Sequence, residues 1–312
     1  MVAANLNQPI NFGHAWLCGF LGVVGFSLTL PMTRLAITVF DPIFVGLGRG
    51  LIAAALGLIV LVATRQKIPP LHSWWRFLIV GGGVVIGFPV LASLAMMHVP
   101  AAHGAVITGL VPLVTALAAR LRGGERLSPS YWGFSIAGCL MIVAFAINSG
   151  AGHVQFADLL LLFAVVAAGI GYAEGALLAR IYGSWQVICW ALLLSVPIIV
   201  AAMVYRPVAF PAHVFESSAL AAWLGFLYIS AISMFAAFML WYRGLALGGI
   251  AQVGQLQLLQ PFMTILASIC WFGEKLSVDV IIFATGVALL ILLSRYSAAR
   301  SASGSGSGRE EV

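Results

Sequence analysis

The pentapeptide Gly124-Glu125-Arg126-Leu127-Ser128 returns 149 residues later as Gly273-Glu274-Lys275-Leu276-Ser277, and at the same offset Pro112 returns as Pro261. No gap separates these anchors, so the chain is expected to hold two copies of one unit, residues 1–150 and 151–296. Both copies are apolar. Hydrophobic residues make up 62% of the chain, charged residues 8%, and the mean hydropathy is +1.09, which places it in a bilayer rather than among soluble globular domains. About 20 apolar residues in a helix cross about 30 Å of hydrocarbon. The apolar runs here are long and glycine-containing, unlike the short alternating segments of a membrane barrel, so the expected class is an all-α polytopic membrane protein.

Ten spans are expected, at about 12–38, 42–63, 75–97, 100–121 and 130–148 in the first copy, and about 156–181, 184–205, 217–242, 248–272 and 276–296 in the second. A unit with an odd number of spans re-enters the membrane from the other side, so the expected fold is ten transmembrane helices as two inverted five-helix repeats. Charge placement agrees. With both termini cytoplasmic, Arg65, Lys67, Arg76, Arg120, Arg122, Arg126, Arg180, Arg243, Arg295, Arg300 and Arg309 fall inside, against Arg34, Arg49, Arg206 and Lys275 outside, as the positive-inside rule asks. The net charge of +6 therefore reads as topology, with no support for nucleic-acid binding.

Trp16, Trp74, Trp75, Trp132, Trp185, Trp241 and Trp271 lie close to expected span ends, where an amphipathic ring prefers the headgroup layer; Trp241 is the one most suited to line a substrate path instead. Cys18, Cys139, Cys189 and Cys270 sit within spans without metal-ligand spacing and read as packing residues. The first apolar run lacks a basic lead and a cleavage site and is expected to be retained. Residues 297–312, rich in Ser and Gly, read as a flexible tail.

These residues resemble a known family. The stretch 120–128 (RLRGGERLS) and its copy at 272–277 (FGEKLS), each after a helix with a proline, together with 28–36 (LTLPMTRLA), Asp41-Pro42 and Gly48-Arg49-Gly50, are similar to the drug/metabolite transporter superfamily, EamA type. Within it the chain, including 96–105 (MMHVPAAHGA), looks closest to the YddG-type exporters of aromatic amino acids. The resemblance implies ten helices as two inverted repeats, a bacterial-type inner membrane, export of a small molecule, and no cofactor.

Transport needs polar groups at membrane depth, where they are expensive and usually face a cavity or a partner helix. Gln252, Gln255, Gln257 and Gln260 crowd the ninth span; at about 100° per residue they cover roughly 200° of its surface. By the repeat offset Gln252 corresponds to His103 and Gln257 to Thr108, so both spans present polar groups to the repeat interface where such transporters hold their site. The other reading is hydrogen-bonded glue between helices. Tyr172, Tyr228 and Trp241, with Met96 and Met97, would supply a pliable apolar wall. Pro112 and Pro261 each free a carbonyl one turn back, giving a gate or hinge, or a simple kink.

Charges within the spans are few. Glu174 is a candidate proton relay, or a structural partner of Gln252 or Tyr172. Arg34 and Arg49, with Asp41 or Asp158, would form an outer gate or a topology lock. Glutamines, aromatics and methionines suit a zwitterion with an apolar side chain better than a phosphate, which calls for several cavity cations. The expected function is export of amino acids, aromatic ones foremost, by alternating access. Another metabolite or a cationic drug is the alternative solute. A channel or membrane-embedded enzyme is the alternative class; His14, His72, His98, His103, His153 and His213 lack paired carboxylates or cysteines at ligand spacing.

Overall fold

The computed structural model describes residues 12–125, 127–148, 155–206, 214, 216–272, 278, 281–283 and 285–293, and among them every regular element is helical. Hydrocarbon offers the backbone no partners, so a spanning segment must close its hydrogen bonds on itself. Seven helical runs are long and apolar enough to cross a membrane. Large apolar side chains such as Ile59, Val62, Leu121 and Phe163 face outward from them, which suits a lipid surround.

The first half opens with α1 (Phe12–Ser27) and α2 (Thr29–Ala36). The break falls at Leu28, three residues before Pro31: Pro31 has no N–H to return to the Ser27 carbonyl, and the Thr264 hydroxyl donates to that carbonyl instead at 2.7 Å. The helix α3 (Pro42–Ala63) begins on Asp41, whose side chain accepts the N–H groups of Ile43 and Phe44 at 2.8 and 3.2 Å. Then follow α4 (Trp74–Val80), a π-helical turn at Gly81–Gly87, and α5 (Phe88–Ala95). After α6 (Ala101–Thr108), α7 (Val111–Gly123) ends on Gly124 with φ of 64°, a left-handed cap that glycine adopts freely. The helix α8 (Pro129–Asn148) completes this half.

The second half begins with α9 (Phe156–Tyr182), started by a capping box between Gln155 and Asp158, and α10 (Ser184–Tyr205). Next come α11 (Leu220–Leu227), a second π-helical turn at Tyr228–Ala236, and α12 (Ala237–Gly248). The run α13 (Ile250–Gly254), a 3-10 turn at Gln255–Leu259 and α14 (Gln260–Phe272) follows. Positions 281–283 and 285–293 are helical as well. Arg126, the second-copy loop 273–277 with Lys275, Arg295, Arg300, Arg309 and the tail 297–312 lie outside the described residues, as do the side chains of Cys270 and Trp271.

Five expected spans are not uniform α-helix: the third and eighth each contain a π turn, and three others change course as well. The first, fourth and ninth are divided, and Pro112 and Pro261 are not mid-helix kinks: each sits at the second position of a new helix, α7 or α14. There its missing N–H falls among first-turn donors that have no helical acceptor anyway.

The two halves of the sequence interlace. The helix α1 lies on α12, α2 on α11, α3 on α10, α14 on α6, and α9 runs through the middle against α4, α5, α6, α7, α10 and α12. Glycines make the α1–α12 contact nearly backbone to backbone. A Cβ on Gly22 would stand 3.1 Å from the main chain of Trp241, and one on Gly25 2.6 Å from the Ala237 Cβ. This approach seats Trp241 in the core.

Candidate functional site

Six elements from both halves bring polar groups together inside the bundle. Arg49 on α3 is 3% exposed and donates from Nη2 to the Ser233 hydroxyl at 3.1 Å. Ser233 stands in the second π turn, and its hydroxyl also shares a 2.7 Å hydrogen bond with that of Thr29 on α2. Tyr172, on α9, interacts electrostatically with Arg49 and brings its hydroxyl up to the Gln257 side chain in the 3-10 turn. Trp241 closes the group, its ring centre 5.7 Å from that of Tyr172 and 6.1 Å from that of Phe26, both edge-on.

The group is incompletely satisfied. The Arg49 Nε, the Trp241 Nε1 and the Gln257 Oε1 are buried with no hydrogen-bond partner among the described residues. Buried polar atoms in folded proteins are nearly always paired, and an unpaired one carries a desolvation cost of about 1–3 kcal/mol. A charge near the middle of a span adds roughly 2.5–3.5 kcal/mol on insertion scales. Three of the five such unpaired atoms among the described residues belong to this group, the others being Ser93 Oγ and Gln186 Oε1, and this makes the group the candidate site.

One end of the bundle is held by ions. Glu174 on α9, with its side chain fully buried, receives Nε–H bonds from Arg76 at the start of α4 and from Arg122 near the end of α7, the latter at 2.6 Å. Arg122 also lies over the Trp75 ring, 5.3 Å from its centre. Glu125, from the repeated loop, accepts from Arg180 at 3.0 Å and from the Ile250 and Ala251 backbone N–H groups at 3.2 Å each. It thus caps α13, in the other half of the chain, where the N-terminal helix dipole favours an anion. A cavity of about 380 Å³ lined by Arg65, Lys67, Tyr182, Gln186 and Trp190 lies apart from the central group.

The opposite end is tied more lightly. His103 on α6 bonds Asp158 on α9 at 2.6 Å, and Arg34 on α2 donates to the Val99 carbonyl at 2.6 Å. Asp41 is 4.0 Å from Arg206. The expected outer cluster does not form, because Asp158 is taken by His103, Asp41 caps α3, and Arg49 turns inward to Ser233.

The glutamine stripe disperses as well. Gln252 is exposed, Gln260 is half-buried at the head of α14, and Gln255 donates to the Ser135 hydroxyl at 2.9 Å, so only Gln257 reaches the central group. Thr108 is buried but returns its hydroxyl to the Ala105 carbonyl of its own helix at 3.0 Å. Tyr228 donates to the Gly25 carbonyl at 3.0 Å beside the break in the first span. Of the expected site residues, then, Trp241, Gln257 and Arg49 converge, and Glu174 joins the ionic end without touching Gln252 or Tyr172.

Thr29 and Ser233 were missed because a lone hydroxyl in an apolar run carries little signal. Arg76 and Arg122 carry only a topology signal in the sequence. Their level was the available clue: both fall on the same side as Glu174, and a buried carboxylate near that face calls for a cation.

A family model described as the EamA-like transporter family matches residues 13–149 and again 155–296. The chain is 45% identical over 262 residues, 84% of it and 90% of the relative, to a protein of Bacillus subtilis named "Uncharacterized transporter YdeK". It is 24% identical over 297 residues, 93% of it and 96% of the relative, to the "Probable terminal-alkyne amino-acid exporter" of Streptantibioticus cattleyicolor. A solved structure titled only "Crystal structure of protein" superposes with a TM-score of 0.70 at 19% identity, covering 90% of this chain and 96% of that one.

Proposed function

The chain belongs to the EamA-like transporter family, and from that premise we propose that it moves amino acids, aromatic ones foremost, across a bacterial-type inner membrane by alternating access. The observation that carries this reading is the convergence of Arg49, Tyr172, Ser233, Gln257 and Trp241, from both halves of the chain, on one buried place with polar atoms left unpaired. The aromatic surfaces of Phe26, Tyr172 and Trp241 suit a flat apolar side chain. The relative named a probable terminal-alkyne amino-acid exporter supports the substrate class. A buried guanidinium in the group argues against a cationic drug.

In this reading ten helices form two inverted five-helix repeats, with both termini cytoplasmic. Local breaks support the duplication beyond the repeated loop. Counting 149 residues on from the π turn at 81–87 leads to 230–236, inside the second π turn, and the starts of α6 and α7 map onto the starts of α13 and α14. Irregular backbone inside a membrane is tolerated where it is buried in protein or lines a cavity, so paired irregularities mark the moving walls. The Glu174 and Glu125 clusters then serve as the cytoplasmic closure, and His103–Asp158 with Arg34–Val99 as the outer one. Glu174 is read as part of that closure rather than as a proton relay.

Counterflow in liposomes tests the substrate. Labelled phenylalanine or tryptophan should accumulate in vesicles preloaded with the unlabelled amino acid, and excess aromatic amino acid should abolish the signal. Accumulation no greater than in protein-free vesicles sinks the assignment.

A further inference from the structure

We propose that Arg49 is the carboxylate anchor of the transported solute, and that Gln257 Oε1 and the Trp241 edge receive the rest of its polar head. The inference rests on the transport reading above and narrows it to a residue and a functional group. A guanidinium presents five donors in a planar fork that matches a carboxylate with two parallel bonds. Arg49 uses that fork on one hydroxyl, Ser233, and its Nε has no partner among the described residues.

Among the described residues no carboxylate pairs with Arg49. Glu174 is held by Arg76 and Arg122, Glu125 by Arg180 and the start of α13, Asp158 by His103, and Asp41 by the start of α3. None of these four pairs with Arg49, so the natural counter-ion is one that arrives. Around it the unpaired atoms have complementary signs: the Arg49 Nε and the Trp241 Nε1 are donors, while the Gln257 Oε1 is an acceptor fit for an ammonium group. Tyr172 interacts electrostatically with Arg49 and with the Gln257 side chain, and its ring packs with those of Phe26 and Trp241 beside them. A zwitterion with an apolar side chain matches that order of groups. The rival role, a static tie between α3 and the second π turn, would affect every solute alike.

Matched acid and amide pairs separate the two. Phenylalanine with phenylalaninamide, leucine with leucinamide, and 3-phenyllactate with its amide are compared as competitors in counterflow and as stabilisers in thermal melting of the purified protein. Losing a charge-assisted bond corresponds to roughly tenfold to hundredfold in affinity, so each recognised acid should outcompete its amide by at least about tenfold. Arg49→Gln should bring that ratio near one, and Arg49→Lys should keep part of it, since lysine retains the charge but not the fork. A wild-type panel in which no acid outperforms its amide overturns the proposal, and so does an Arg49→Gln protein that keeps the wild-type ratio. If Arg49→Gln does not fold, the wild-type panel and Arg49→Lys decide alone. Preference for leucine or phenyllactate with no recognition of phenylalanine would remove the aromatic amino acid reading while upholding the anchor; equal recognition of phenylalanine and its amide would do the reverse.

Discussion

Replacing Glu174 by Gln keeps the shape of the side chain but removes the charge that two guanidinium groups share. Breaking a buried ion pair on one side costs about 3–5 kcal/mol, but Arg76 and Arg122 are 24% and 38% exposed and can turn toward water, which brings the expected loss to about 1–3 kcal/mol. Glu174→Gln should therefore lower the melting temperature in detergent by several degrees, and the pH profile of transport should keep its wild-type form. A profile that flattens, with stability unchanged, would restore the proton-relay role. Residue identity alone hinted at this role but not at its partners. Glu174 stands out as an acid in an apolar run, whereas the arginines that hold it come from positions 98 and 52 residues away.

Among elements, the contact of α1 with α12 decides where Trp241 stands. Adding a side chain at Gly22 forces apart two main chains that now meet with 3.1 Å of clearance for a Cβ, and overpacking of this kind costs about 1–3 kcal/mol. Gly22→Val should lower the melting temperature and impair aromatic competition together, because it shifts the ring that faces Tyr172. Gly133→Ala is the control: a Cβ there meets nothing within 4 Å, and relief of the glycine penalty in a helix makes it neutral or slightly stabilising. A drop in melting temperature at Gly133 as large as that at Gly22 would undo the close-packing account. The prolines teach the same lesson about breaks. Pro112 and Pro261 announce an interruption in the sequence, yet whether it is a bend or a fresh start depends on the backbone around it, and here each opens a helix.

For the whole molecule, inversion of the repeats is the claim with the widest reach. Ser128 and Ser277 are equivalent positions of the two copies, and in a background without native cysteines Ser128→Cys and Ser277→Cys should react with an impermeant thiol reagent from opposite sides of the membrane. Labelling of both from one side would refute the inverted arrangement, and with it a shared midplane site. The two halves of the chain do not pack as separate bodies: α1, α2 and α3 lie on α12, α11 and α10. Such interlacing lets a movement of one half be felt at once in the other, as the proposed alternating access requires.

Apolar run length was sufficient, by sequence alone, to determine a helical membrane protein, and the repeated loop and the distribution of arginine motivate the proposed duplication, because hydrocarbon admits few backbone solutions and each leaves a compositional mark. Trp241, Gln257 and Arg49 were singled out on the same ground, that polar or amphipathic groups at depth need a reason. Tertiary structure alone decided their company. The dispersal of Gln252, Gln255 and Gln260, the pairing of His103 with Asp158, and the approach of Ser233 to Arg49 across 184 residues depend on how helices rotate and break, and rotation is set by packing against glycine-lined neighbours rather than by any residue's own preference.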